Sequence, residues 1–235
     1  MRRLTFLVGL VAAAVLAASP AVAQVVPPIR FPGSATAEST IASGLREALT
    51  VGAENAVERT GRLDGFFRNE AIKILMPERL RRVETGLRAI GYGPHVDEFI
   101  LAMNRAAERA AASAKPLFWE AIRTITLDDA RQILTGGDTA ATEYFRDRTE
   151  DGLAEAFRPI VEQATGEFGV TRQYKDLIQR FPFAGAQAPD VDEYVVARTL
   201  DGLFYVLGEE EKKIRKDPAA RVTAILREVF GGRRP

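Results

Sequence analysis

The chain has no cysteine and a single histidine, His95, among its 235 residues. Without cysteine it can form no disulfide, no thiol nucleophile, no thiolate metal site and no redox dithiol. With one histidine it cannot form an HExxH zinc site, and we interpret His95, which follows Gly93-Pro94, as an interfacial or capping residue and not a catalytic one. Its stability must therefore come from packing, and several common kinds of catalysis are excluded.

Neither sign of charge is in excess, since 32 lysines and arginines face 32 aspartates and glutamates. No polybasic arm is present that could release counterions from a nucleic-acid backbone. We therefore expect no nucleic-acid partner. The same balance argues against strong electrostatic docking on anionic lipid.

The motifs of nucleotide, calcium and serine-hydrolase sites are incomplete. Gly91-Tyr92-Gly93 begins like a dinucleotide loop, but Val96 occupies the position of the third glycine. Asp190-Val191-Asp192 begins like a calcium loop, but Tyr194 and Val195 replace a ligand and the turn glycine. We interpret these residues as the capped, acidic start of a helix. No serine stands in a G-x-S-x-G sequence. We therefore predict no cofactor and no metal site, and we assign no catalytic residue.

Two acidic patterns are interpreted as solvent-exposed helix surface. Residues 209–213 (EEEKK) place glutamates about one helical turn from lysines, which stabilises an exposed helix. A second row recurs every four residues, and such a like-charged row destabilises a helix slightly. Arginines lie close enough to compensate that row, which consists of Glu143, Asp147, Asp151 and Glu155.

The first residues have the three parts of an export signal. Arg2 and Arg3 give a positive start, residues 4–18 form an apolar stretch, and Ala21-Val22-Ala23 is a cleavage site. The apolar stretch is too short for a comfortable transmembrane helix, and no cysteine follows it that could carry a lipid. We expect a signal peptide over residues 1–23 and a soluble periplasmic protein that has no integral membrane span and is not a lipoprotein.

The mature chain is predicted to be one compact all-α domain. Residues 24–37 contain three prolines and a glycine, which is typical of a flexible leader. From residue 38 to residue 232, apolar side chains recur at three- and four-residue spacing, the pattern of helices. The length of this region and its breaks indicate about seven to nine helices.

Capping and breaking residues predict where these helices begin and end. The first helix is predicted to begin at Ser39 or Thr40 and to run to Arg59, with Gly61 as its stop. The Ile72/Ile74 alternation in residues 62–76 is compatible with a short strand or with an extended segment. Pro116 is expected to kink or split the apolar stripe of residues 95–125. The other helices are predicted at 77–90, 127–134, 139–168, about 171–180, 190–216 and 218–230, with a loop at 181–189. Thr126 is the predicted N-cap of the helix 127–134, and Asp138 is that of the helix 139–168. The helix 139–168 is expected to be one element or to be divided at Thr149 or Pro159.

The first candidate binding segment is residues 133–146. Its paired glycines, Gly136 and Gly137, allow backbone conformations that other residues avoid, and the next helix presents N–H groups to an anion. Asp138 is itself an anion that can take these N–H groups, so a structural corner is the favoured interpretation. Thr142 and Tyr144 are the further candidate polar contacts of this segment.

The second candidate segment is residues 103–108. Asn104 and Glu108 are four residues apart and share a helix face, with Arg105 beside them. Either these are surface residues, or they are buried polar groups that satisfy each other. The spacing alone leaves both alternatives open.

Five sequence stretches resemble the bacterial domain of unknown function 4197 family. They are SGLREAL (43–49), LDGFF (63–67), AMNRAAERA (102–110), ILTGGDTAATEYFR (133–146) and LDGLFYVLGEEEKKIRKDP (200–218). The resemblance covers nearly the whole mature chain and implies an exported, all-helical protein. It implies no activity, cofactor or catalytic residue.

These observations support three hypotheses of function. The first is a non-enzymatic protein of the cell envelope that acts by binding, with an envelope protein as its partner. The second is a carrier of a small apolar or amphipathic ligand in a cavity of the helical bundle. Its polar anchors at one end of the cavity would be Asn104, Arg105, Asp138, Thr142 and Tyr144. The third is a carboxylate-based hydrolase, which would need Glu108, Asp138 and Glu143 to meet.

Overall fold

The computed structural model describes residues 32–167, 169, 172 and 190–217, with side chains from Ala42 onward. In these residues the regular structure is entirely helical, as the spacing predicts. Seven α-helices and one 3₁₀ turn (Glu78–Leu80) follow one another: α1 Pro32–Gly61, α2 Arg81–Ala89, α3 Gly93–Ala111, α4 Lys115–Arg123, α5 Leu127–Thr135, α6 Ala140–Glu167 and α7 Val191–Lys216.

Several predicted boundaries are confirmed. Helix α1 ends at Gly61, and the stripe of residues 95–125 is split into α3 and α4 just before Pro116. Thr126 caps α5 in a reciprocal box, because Asp129 N–H donates to its hydroxyl and Thr126 N–H donates to the Asp129 carboxylate. Asp190 caps α7 by accepting hydrogen bonds from two N–H groups of the first turn.

Three expectations differ from the structure. Helix α1 begins at Pro32, so residues 32–37 of the predicted leader are helical; proline is tolerated in a first turn, where its missing N–H needs no partner. Residues 62–76 form turns and irregular backbone, so the first of the two alternatives for this segment, a short strand, is not formed there. Helix α6 continues through Thr149 and Pro159 without a break.

Other predictions lie outside the described residues. These are the signal peptide 1–23, the leader up to residue 31, the helices about 171–180 and 218–230, and the loop 181–189. No helix in the described part of the chain is both long and apolar enough to cross a bilayer.

The core lies between α1, α3, α6 and α7. Helix α3 contacts the other three, and it does so with buried alanines whose small side chains let neighbouring helices approach closely. Large rings fill the space beside α4: the Phe118 ring centroid lies 5.5 Å from that of Phe145 and 6.1 Å from that of Phe204, both edge-on.

Two of the stretches that carry the family resemblance, residues 63–67 and 200–218, pack directly on each other. A methyl group built on Gly202 of α7 would lie 2.5 Å from a ring carbon of Phe66, which is fully buried. Position 202 therefore requires glycine, because any side chain there would occupy the space of the Phe66 ring. The LDGLF stretch of α7 thus packs against the LDGFF stretch of the 62–76 segment.

Candidate functional site

Asn104 of α3 holds the backbone of the 62–76 segment. Its side-chain oxygen accepts a hydrogen bond from Ile74 N–H at 2.9 Å, and its amide nitrogen donates to the Ile74 carbonyl at 2.8 Å. The same nitrogen also donates to Ile100 O at 2.7 Å. Asn104 is fully buried, so it supplies Ile74 with the donor and acceptor that a neighbouring strand would otherwise provide.

Glu108, one turn later on α3, holds the other end of this segment. One of its oxygens accepts hydrogen bonds from Phe66 N–H at 3.1 Å and from Phe67 N–H at 3.2 Å. Its second oxygen accepts from Arg105 at 2.6 Å. Asn104 and Glu108 are thus buried, which is the second of the two alternatives. They do not satisfy each other, however: Asn104 binds the backbone of Ile74 and Ile100, and Glu108 binds the backbone of the 62–76 segment and the Arg105 side chain.

Arg105 links Glu108 to Asp64, because its second guanidinium nitrogen donates a hydrogen bond to the Asp64 carboxylate at 2.7 Å. Although burial opposes the charge of Arg105, the hydrogen bonds to Glu108 and Asp64 outweigh it and raise the pKa of the guanidinium. Asp64 has φ of 64°, a left-handed conformation that costs energy for a residue other than glycine. Its ion pairs with Arg105 and Arg68 hold it there.

Glu211 of α7 occupies the N-terminus of α6. One carboxylate oxygen accepts a hydrogen bond from Ala141 N–H at 2.9 Å, and the other accepts from Thr142 N–H and the Thr142 hydroxyl, both at 2.8 Å. The N–H groups predicted to attract an anion have therefore found one within the same chain.

Arg215, one turn after Glu211, completes this contact. It donates to Glu211 through Nε at 2.9 Å and Nη2 at 2.7 Å, and Nη2 also donates to Ile133 O at 2.8 Å in the last turn of α5. The carboxylate thus meets the positive end of α6, and the guanidinium meets the negative end of α5. We call this cluster of Ile133, Ala141, Thr142, Glu211 and Arg215 the α5–α6 clamp.

The expected capping role of Asp138 is not what the structure shows. The N–H groups of Ala141 and Thr142 donate to Glu211, and the Asp138 carboxylate instead forms an ion pair with Lys216 of α7. This hydrogen bond from Lys216 lowers the pKa of Asp138. Asp138 is therefore an exposed outer contact of α7, because the longer Glu211 side chain reaches the helix end from the buried side.

The two glycines of this corner differ in their roles. Gly136 ends α5 with φ of −74°, an ordinary value, so it is not needed for backbone freedom. A methyl group on it would lie 2.5 Å from Ala140 Cβ, so it is needed for space. Gly137 has no atom within 4 Å of such a methyl group.

Tyr144 lies beside the α5 cap and not beside Glu211. Its hydroxyl is 3.5 Å from an Asp129 carboxylate oxygen, and the Arg148 guanidinium lies 5.0 Å from its ring centroid. Burial and the negative charge of Asp129 raise the pKa of Tyr144. The hydrogen bonds from Thr126 lower the pKa of Asp129.

The interpretation of residues 209–213 as an exposed surface is wrong for two of them. Glu210 and Glu211 are buried. Glu210 forms ion pairs with Arg59 of α1 and with Lys213, and Asn55 donates to it at 3.4 Å. The surrounding apolar positions could have indicated this, since Leu207 and Ile214 lie on the same inward stripe of α7 as Glu210 and Glu211.

The carboxylates proposed for acid–base chemistry do not form a pair. Glu108 binds Arg105 and the Phe66 and Phe67 backbone, Asp138 binds Lys216, and Glu143 accepts a hydrogen bond from Thr139 at 2.9 Å. No group of three histidine, aspartate or glutamate side chains in the described ranges could hold a metal ion.

A small cavity lies beside the α5–α6 clamp. Its walls are mostly apolar, from Leu45, Leu49, Phe145 and Leu207, with Thr142, Glu211 and Arg215 at one side. Its volume is about 20 Å³, enough for about one water molecule and far below the several hundred Å³ of ligand sites.

Fold and site together define an all-helical domain whose buried polar residues tie its own segments together. The sequence model of the family described as "Protein of unknown function (DUF4197)" matches residues 35–231, and the chain belongs to this family. No curated protein and no solved structure shows significant similarity to the chain.

Proposed function

We propose that the protein is exported to the periplasm, loses residues 1–23 there, and acts as a non-enzymatic protein that binds through its outer surface. The signal-like first residues support the location. Binding through the outer surface is supported by the contacts of the candidate polar residues, which are engaged by other groups of the same chain. These residues are Asn104, Arg105, Glu108 and Thr142. With these side chains engaged internally, the surface is left for a partner.

The location is tested by cell fractionation combined with intact mass measurement. We expect the protein in the periplasmic fraction, with a mass that corresponds to a chain beginning at Gln24. Replacing Ala23 with arginine should block cleavage, because the cleavage site needs small residues. A full-length mass in the cytoplasmic fraction of cells carrying the unchanged protein would disprove the proposed location.

The carrier hypothesis would place a small apolar ligand in the cavity beside the α5–α6 clamp. The volume of about 20 Å³ counts against it, because the cavity would have to open substantially. Native mass spectrometry of protein purified from the periplasm decides between the two hypotheses. Surface binding predicts the mass of the polypeptide alone, whereas a stoichiometric lipid or metabolite that is lost in a Thr142→Phe variant would establish the carrier.

A further inference from the structure

The connection between α2 and α3 is a turn with a fixed backbone. Gly91 has φ of 89°, Gly91 N–H donates to Arg88 O at 3.2 Å, and Tyr92 N–H donates to Leu87 O at 2.9 Å. This pair of hydrogen bonds is the Schellman motif, which terminates a helix in one defined conformation. We call residues 88–95 the α2–α3 tip.

The end of this tip is apolar and exposed. Ile90 is 64 % exposed and Tyr92 is 43 % exposed, and Pro94 and His95 are exposed beside them. The Tyr92 ring packs against the His95 ring with 5.4 Å between centroids. Residues 89–96 contain no lysine, arginine, aspartate or glutamate. Because the turn holds these side chains in place, they lose little conformational freedom when a partner covers them.

The charges on the two sides of the tip have opposite signs. On the α2 side, residues 78–89 contain four arginines and two glutamates, which gives a formal net charge of +2. On the α3 side, residues 93–104 contain Asp97, Glu98 and no lysine or arginine, which gives a formal net charge of −2. The surface as a whole is therefore neutral, with an apolar centre between a basic and an acidic side.

One charge on each side has no ion pair in the part of the chain that the structure describes. These two are Arg82 and Glu98, and both are exposed. Arg82 lies about 12 Å along its helix from Ile90, and Glu98 lies about 9 Å along its helix from Tyr92, so they are at similar distances from the turn. Other charges of this surface are already paired within the protein, as in the pairs Arg81–Glu78, Arg88–Glu84 and Arg88–Asp97.

We propose that the α2–α3 tip is the contact surface of a weak homodimer, in which two copies of the chain meet tip to tip about a two-fold axis. The exposed apolar side chains form the centre of the contact, and Arg82 of each copy faces Glu98 of the other. A two-fold interface must be complementary to itself, and a neutral surface with one sign of charge on each side meets this condition. A partner of a single charge sign would be attracted by one side of the tip and repelled by the other.

The size of the tip limits the strength of this dimer. Residues 88–95 are far fewer than the roughly 20–30 residues that each partner contributes to a standard interface. We therefore expect a reversible dimer whose population depends on concentration. This inference rests on the proposed function, since it names the partner of the outer surface. It is measured in solution and the location by fractionation, so either result can fail without the other.

Sedimentation velocity of the purified mature protein tests the dimer. From roughly 10 µM to roughly 1 mM, we expect the average mass to rise from that of one chain towards that of two. Replacing both Ile90 and Tyr92 with serine should weaken the association about tenfold or more. The control replaces Leu63 and Tyr205 with serine, a similar pair that is 73 % and 49 % exposed elsewhere on the surface, and should leave it unchanged. A protein that stays monomeric at the highest concentration, or equal losses in both variants, would overturn the proposal.

Charge reversals test the two-fold arrangement. Arg82→Glu alone and Glu98→Arg alone should each weaken the dimer about fivefold, because each places like charges opposite one another. An equal mixture of the two variants should associate like the unchanged protein, since both contacts of a mixed dimer then join opposite charges. Arg158→Glu reverses an exposed arginine of α6 and should have a smaller effect. A mixture that associates no better than its two components would show that the tips do not meet in this way, and the proposal would be wrong.

Discussion

Single buried side chains carry much of the specificity of this domain. Asn104, Glu108 and Glu211 each bind backbone groups that belong to a distant part of the chain. For Glu108 and Glu211, an arginine one turn away on the same helix balances the charge. A buried carboxylate is costly unless it is paired and hydrogen-bonded, and here both conditions are met.

Glu211→Gln is expected to destabilise the protein by about 3 kcal/mol, because it leaves the largely buried Arg215 guanidinium without its carboxylate partner. Urea unfolding measures this change. Glu209→Gln is the matched control, since Glu209 is half-exposed and pairs with Lys212; it should change stability by less than about 1 kcal/mol. Asp138→Ala should also have little effect. A larger loss from Asp138→Ala than from Glu211→Gln would restore Asp138 as the cap of α6.

Asn104→Leu is expected to cost about 3 kcal/mol, since it keeps the volume but leaves the Ile74 N–H and C=O buried without a partner. Hydrogen exchange should show the Ile74 amide losing its protection. Asn69→Leu is the control, because Asn69 accepts one exposed hydrogen bond from Ala71 N–H. Similar exchange rates at Ile74 in the unchanged protein and in the Asn104→Leu variant would contradict this role.

At the scale of elements, the helices are placed by small residues as much as by large ones. The alanines of α3 and the glycine of α7 allow close contacts at the centre of the bundle. The effect of Gly202 is opposite to that of a glycine on an exposed helix face. There glycine is simply a weak helix former.

The same substitution should therefore have opposite signs in two helices. Gly202→Ala is expected to destabilise by about 2 kcal/mol, because the added methyl group would overlap the buried Phe66 ring. Gly86→Ala in α2 meets no neighbouring atom and should stabilise by up to about 1 kcal/mol through helix propensity. Thermal and urea unfolding of the two variants measure both effects. Stabilisation by both substitutions would contradict this prediction, because it would show that a methyl group at position 202 does not overlap the Phe66 ring.

At the scale of the whole molecule, ion pairs between helices make stability depend on pH. Burial opposes the charge of Glu210, but the hydrogen bonds from Lys213 and Arg59 outweigh it, and the pKa of Glu210 is lowered below its ordinary value of 4.5. A carboxylate with a lowered pKa binds a proton less readily in the folded protein than in the unfolded chain. Protonation therefore favours unfolding.

The contribution of Glu210 should be complete above about pH 4.5 and should be lost as the pH falls through its lower, folded pKa. We expect the difference in unfolding free energy between the unchanged protein and Glu210→Gln to shrink as the pH falls from 7 towards 3. Urea titrations at several pH values measure it. A difference that stays constant over this range would show that the ion pairs of Glu210 do not supply the stability.

The sequence by itself determined the class of the fold and most helix ends, because these depend on local causes. The three- and four-residue spacing indicated helices, and Thr126, Asp190, Gly61 and Pro116 marked boundaries through their own hydrogen-bonding or steric properties. The family resemblance was likewise readable from short stretches, and it is confirmed over residues 35–231.

Only the tertiary structure decided what the polar residues of those stretches bind. Asn104 meets a backbone 30 residues away, and Glu211 meets one 70 residues away, so no local pattern could name either partner. The sequence showed that an anion fits the N-terminus of α6, and the nearest anion, Asp138, was the natural expectation. Packing of α7 against α6 brought Glu211 there instead, because helix contacts are set by apolar burial over the whole bundle and not by the residues next to the cap.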